Sequence, residues 1–171
     1  MQCIAPLFLI LAQKEPYKLS ICTFLPKTRY RLTEWLEYHK NLGVEHFFLY
    51  YSPASYLPKY DLAKYIDSGE LELFPWPEIP QKLSSLCVSK MSAYENACNY
   101  AAKEKTKWLI FMEPHEFLVP DCNSLLSILE THKNRPALVL SSCYYANISQ
   151  NAVEMIQSKL LFSPDITVQR L

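Results

Sequence analysis

The sequence predicts an α/β fold, a mainly parallel sheet with helices on both of its faces. Three observations carry this. Short runs rich in β-branched and aromatic residues alternate with longer segments whose apolar residues recur at helical spacing. The run Val44 to Tyr51 is almost wholly apolar after His46, as in a strand covered on both faces. And 171 residues, 50% hydrophobic and 20% charged, suffice for one domain with a real core and are few for two. No repeat, low-complexity stretch or linker interrupts the alternation.

The first strand runs from Lys18 to Leu25 and stops at Pro26. A helix follows from Thr28 to Asn41, with Leu32, Trp35, Leu36 and Leu42 at helical spacing, Thr28 or Thr33 as its cap and Gly43 as its stop. Val44 to Tyr51 is the second strand, and Pro58 opens a short helix through Ile66 that ends near Gly69. Glu70 to Phe74 alternates like a half-exposed strand and meets a rigid loop, Pro75 to Pro80. Cys87 to Lys105 is a helix with Met91, Tyr94, Ala97, Cys98 and Ala101 on one face. Lys107 to Met112 is an apolar strand, broken abruptly by Glu113-Pro114-His115-Glu116. Asp121 or Asn123 caps a helix over Leu125, Leu126 and Leu129, and Pro136 to Cys143 is a further strand. From Tyr144 on the pattern is mixed and less legible.

Residues 1–17 stand apart from this domain, which takes 18–171. Their apolar stretch is about ten residues, against about 20 for a bilayer span. It has the length of a signal-peptide core, but no Lys or Arg precedes it, and a buried first strand or a disordered start is the alternative. Cytoplasmic and exported readings both stand, with membrane association expected only through this segment.

Composition excludes several function classes. Seventeen Lys+Arg balance seventeen Asp+Glu, so no basic field marks nucleic acid as a partner. Two glycines, against twelve prolines, cannot build a P-loop or a dinucleotide fingerprint, whose backbones must approach a phosphate closely. The six cysteines form no CxxC pair, and the placement of four of them in or beside apolar runs favours reduced packing residues over disulfides.

In such a sheet the ligand sits outside the carboxyl ends of the strands. The residues after Leu25, Tyr51 and Met112 are therefore the ones to question. Glu113, His115 and Glu116 form the sharpest group: two carboxylates and an imidazole that can converge on one Mn²⁺ or Mg²⁺. A cation there would neutralise a diphosphate leaving group. Spacing alone favours the alternative, a polar turn with Glu116 as a cap or in a salt bridge. His39 reads as a packing residue on its helix, His46 starts a strand and His132 ends a helix. Tyr50, Tyr51 and Tyr56 can stack on a base or sugar, or simply fill the core. Asn147-Ile148-Ser149 is a glycosylation sequon that matters only in an exported eukaryotic chain.

Several blocks in one order carry a resemblance. They are Glu34-Trp35-Leu36-Glu37-Tyr38-His39, Leu42 to Tyr50, Tyr65-Ile66-Asp67-Ser68-Gly69, Trp76-Pro77, Ala93-Tyr94 with Cys98, Lys107 to Phe111, and Glu116-Phe117-Leu118 with Pro120. Over roughly residues 18 to 145 the chain resembles glycosyltransferase family 92. The resemblance implies a single Rossmann-like domain of the A-type glycosyltransferase kind. It implies transfer of a hexosyl unit from a nucleoside diphosphate sugar, usually with Mn²⁺, to a glycan or other hydroxyl acceptor.

The departures are specific. The Asp-x-Asp-Glu metal motif of relatives falls on Glu113, Pro114, His115 and Glu116, so only Glu116 is kept. Their Asn-Glu after the first strand becomes Lys27-Thr28, and their Asp-rich segment after the second becomes Tyr51 to Tyr56. A Gln before the Ala-Tyr block becomes Lys90. Lys27, Tyr51 and Ser52 are the strand-end positions left to meet the nucleotide. The chain ends at Leu171, before the region where relatives complete the acceptor side, and no general base is assigned. A metal-assisted transferase, a catalytically degenerate binding protein and a C-terminally truncated fragment without independent activity are the three readings that result.

Overall fold

The computed structural model describes residues 17–25, 31–52, 55, 57–77, 83–104, 106–120, 124–144 and 155–162. In chain order the elements are β1 (Leu19–Leu25), α1 (Leu32–Asn41), β2 (His46–Tyr51), α2 (Lys59–Asp67), β3 (Leu71–Pro75), α3 (Leu83–Lys103), β4 (Trp108–Phe111), α4 (Leu125–Thr131), β5 (Ala137–Tyr144) and β6 (Met155–Phe162). They build one six-stranded sheet in the order β3-β2-β1-β4-β6-β5. The pairs β3–β2, β2–β1 and β1–β4 are parallel, and β6 runs antiparallel to both β4 and β5.

β1 lies between two parallel neighbours, and all seven of its residues are buried. Its side chains alternate between two cores, as a period of two requires. Leu19, Ile21 and Leu25 pack with Trp35 and Leu36 of α1, Leu62 and Tyr65 of α2, and Leu125 and Leu129 of α4. Cys22 and Phe24 pack with Phe48, Tyr50 and the row Ala93, Ala97, Ala101 of α3. Helices thus cover both faces. Cys22 and Cys98 are free thiols whose pKa values burial pushes up, so they act as packing residues.

The element ends differ from expectation in instructive ways. Arg31, not a threonine, is the N-cap of α1 and makes no side-chain cap bond; Thr33 lies inside the helix and Thr28 outside the described residues. Gly43 does stop α1, with φ +95, where a Cβ would come within 2.9 Å of Leu126 Cδ1. Ser124 is the N-cap position of α4; Asp121 and Asn123 lie outside the described residues. Met91 is 66% exposed rather than core, because the Ala row sets the buried face of α3 and Met91 lies two residues, about 200°, off it. The β5 segment is a strand as expected, yet β6 separates it from β4. Among the described residues no helix is long and apolar enough to cross a membrane; residues 1–16 lie outside them.

One topological fact positions the site. The chain builds β1, β2 and β3 outward in one direction, then returns through α3 to place β4 on the other side of β1. The order reverses between β1 and β4, the switch point where open α/β sheets form their ligand crevice.

Candidate functional site

The turn Glu113–Glu116 leaves β4 at this switch point. Met112 N–H still donates to Cys22 O of β1 at 3.1 Å, so the turn begins beside the last residues of β1. Glu116 N–H donates to Glu113 O at 3.1 Å, and the Glu116 carboxylate accepts the Glu113 N–H in return. Pro114 is buried, and His115 is exposed. Glu113 carries an ion pair to Lys90 of α3 through Oε1. Lys90 keeps 30% of its side chain exposed and Glu113 28%, and the Lys90 ammonium lies 5.6 Å from the centre of the Tyr94 ring.

From the opposite side α1 clamps the same turn. Trp35 Nε1–H donates to Glu116 O at 2.8 Å, and the Tyr38 hydroxyl donates to Leu118 O at 2.6 Å. His39 Nδ1 lies 2.7 Å from Trp35 O, and Leu118 N–H donates to His39 Nε2 at 3.3 Å. Because a carbonyl only accepts, Nδ1 carries the proton and Nε2 the lone pair. Burial lowers the His39 pKa to about 4, against the opposing pull of the Trp35 carbonyl, which keeps the ring neutral at neutral pH. Phe117 meets Tyr38 edge-on at 5.0 Å and stacks on His39 at 5.8 Å. Residues 35, 38 and 39 are one face of a helix. The two resemblance blocks that contain them and Glu116-Phe117-Leu118 are thus two sides of one contact.

The rim at β2 is neutral. Ser52 is buried, its hydroxyl 3.2 Å from Ser55 Oγ, and Ser55 Oγ donates to Leu25 O at 2.8 Å, closing the end of β1. Tyr51 is half-buried, and its carbonyl accepts from Trp76 N–H at 2.7 Å. Tyr50 is core: it stacks on Phe74 at 4.8 Å, and its hydroxyl donates to Asn96 Oδ1 at 2.7 Å. Lys27 and Tyr56 lie outside the described residues. His46 starts β2 at the amino edge, 3.4 Å from Glu72 Oε1, and His132 ends α4, Nδ1 2.9 Å from Ile128 O.

The three residues expected to hold a metal therefore share one turn without a common focus. Among the described residues no three His, Cys, Asp or Glu side chains are gathered to hold a metal ion. In this arrangement they do not fit one: Glu113 Oε1 pairs with Lys90, and Glu116 Oε2 accepts the Glu113 N–H. Lys90 and the clamp of Trp35, Tyr38 and His39 belong to the site although spacing did not single them out. For the clamp, the signal is the helical spacing 35, 38, 39. For Lys90 it is its place one turn ahead of Ala93 and Tyr94, on the sheet-facing side of α3.

With this geometry in place, the comparisons with known proteins are direct. The sequence model of glycosyltransferase family 92 matches residues 17–163. A curated glycosyltransferase family 92 protein of Oryza sativa subsp. japonica is 24% identical over 132 residues, 74% of this chain and 20% of that protein. The chain thus spans about a fifth of that relative's length. HddC from Yersinia pseudotuberculosis is similar over 87% of this chain and 77% of its own, with TM-score 0.46 and 14% identity. A UDP-glucose pyrophosphorylase mutant from Leishmania major, in complex with UDP-glucose, is similar over 84% and 43%, with TM-score 0.39 and 10% identity. These structural scores are too low to bear on function. The family match covers most of the residues, and on that ground the chain belongs to glycosyltransferase family 92.

Proposed function

We propose that this glycosyltransferase domain takes a nucleoside diphosphate sugar at the carboxyl edge of β1 and β4 and passes its hexosyl unit to a hydroxyl acceptor, a glycan or another alcohol. The supporting observation is the switch point itself: the strand order reverses where a clamped, charged turn leaves β4. In the transfer, the acceptor oxygen bonds to the anomeric carbon while the bond from that carbon to the diphosphate breaks. The diphosphate departs with the bonding pair, so the groups that matter most are those that stabilise its charge.

Incubation with a panel of UDP-hexoses, with and without Mn²⁺, tests the reading. Saturable nucleotide binding with release of UDP is expected. Absence of saturable binding under both conditions removes it. The engagement of Glu113 and Glu116 within the protein favours one second reading, a relative that binds without turnover. Saturable UDP binding with no release from any UDP-hexose would select that one.

A further inference from the structure

We infer that the Lys90 ammonium, anchored by Glu113, is itself the cation that receives the donor's diphosphate, so that this chain binds a nucleoside diphosphate without a divalent metal. The inference rests on the nucleotide-sugar reading above. It starts from an electrostatic difficulty. Glu113 and Glu116 stand together at the switch point, and two carboxylates alone would repel an anionic diphosphate. Some positive charge must intervene, and Lys90 reaches Glu113 from α3.

Its position is built rather than incidental. α3 returns from β3 to β4, so its early turns lie at the carboxyl edge of the parallel strands. The Ala93, Ala97, Ala101 row sets α3 close on the sheet; Lys90 lies one turn before Ala93 and reaches Glu113, just beyond the end of β4. The residue before it is fixed, since Trp76 Nε1–H donates to Ser89 O at 3.2 Å. The Tyr94 ring lies beside the ammonium at 5.6 Å, a cation–π distance. With 30% of its side chain exposed, Lys90 can meet a phosphate oxygen while it stays paired to Glu113. A metal in the same place would compete with Lys90 for Glu113.

Titration of the full chain with UDP by calorimetry tests this, once in EDTA and once in Mn²⁺. The expected result is saturable UDP binding in EDTA that Mn²⁺ leaves unchanged. Lys90→Gln weakens that binding by about tenfold or more, the loss of a charge-assisted contact, whereas Lys90→Arg retains it. Affinity for uridine, which has no phosphate, is the same in all three proteins. UDP binding that appears only with Mn²⁺ overturns the inference and leaves the donor reading standing. Equal UDP affinity of Lys90→Gln and the parent in EDTA overturns it as well. No binding in either buffer, by protein that melts cooperatively, overturns both. Should Lys90→Gln fail to fold, the comparison of EDTA with Mn²⁺ on the parent chain decides.

Discussion

The turn after β4 is held from two sides, and the two supports are unlike in kind. On the α1 side Trp35, Tyr38 and His39 grip the backbone of Glu116 and Leu118 through neutral hydrogen bonds; Trp35 and His39 are buried. On the α3 side Lys90 grips the Glu113 side chain through an ion pair that stays part-exposed. A buried neutral contact contributes to stability, because breaking it strands polar groups away from water. A part-exposed ion pair contributes little to stability but leaves charge available to a ligand. The α1 side is therefore the frame of the turn, and the α3 side is where the proposed diphosphate contact lies.

This contrast can be broken by mutation. The largest effect is expected for Trp35→Ala, which empties a fully buried site and removes the bond to Glu116 O. It should cost about 3–5 kcal/mol in a denaturant titration, and a cost near that of a surface substitution would contradict the framing role. Next comes acid. The folded His39 pKa is about 4, below its ordinary value of 6.5, so in between the unfolded chain takes up a proton that the folded one refuses. Stability should fall as pH drops from about 6.5 to about 4, by on the order of 3 kcal/mol. Melts of His39→Gln across the same range should lack that component.

Smaller effects sharpen the comparison. Tyr38→Phe removes one hydroxyl bond to Leu118 O and should cost about 1 kcal/mol. Lys90→Gln, on the charged side, should cost about 1 kcal/mol or less in the same assay. A Lys90 variant as destabilised as the Trp35 one would erase the distinction between the two supports. At the far end of the scale, Glu130→Gln breaks an exposed pair with Lys133 and should leave the melt unchanged.

How far the sequence reaches follows from the same contrast. Local pattern made β1, β2 and β4 readable, because strands buried on both faces are nearly continuous apolar runs. The turn after β4 was readable too, since charge ends the apolar run abruptly at Glu113. β6 was not: Gln157, Ser158 and Lys159 interrupt its apolar run, and nothing local says that it enters between β4 and β5. The α1 clamp was half legible. Its residues stood out as one conspicuous block, but their partners Glu116 and Leu118 lie some 80 positions away. Lys90 stood out as a departure from relatives, but its pairing with Glu113 was not readable, because it exists only once α3 has crossed to the far side of β1. Glu113, His115 and Glu116 were singled out together as metal ligands. The Glu116 carboxylate instead caps the Glu113 N–H, as tight turns favour, and Glu113 pairs with Lys90.

The most direct test of the account is to locate the nucleotide. Backbone amide shifts in a labelled sample should be followed as UDP is added. The largest changes are expected at Glu113, His115, Glu116 and Phe117, and on α3 near Lys90. Changes concentrated instead at the amino edge of the sheet, around Tyr17 and His46, would contradict it.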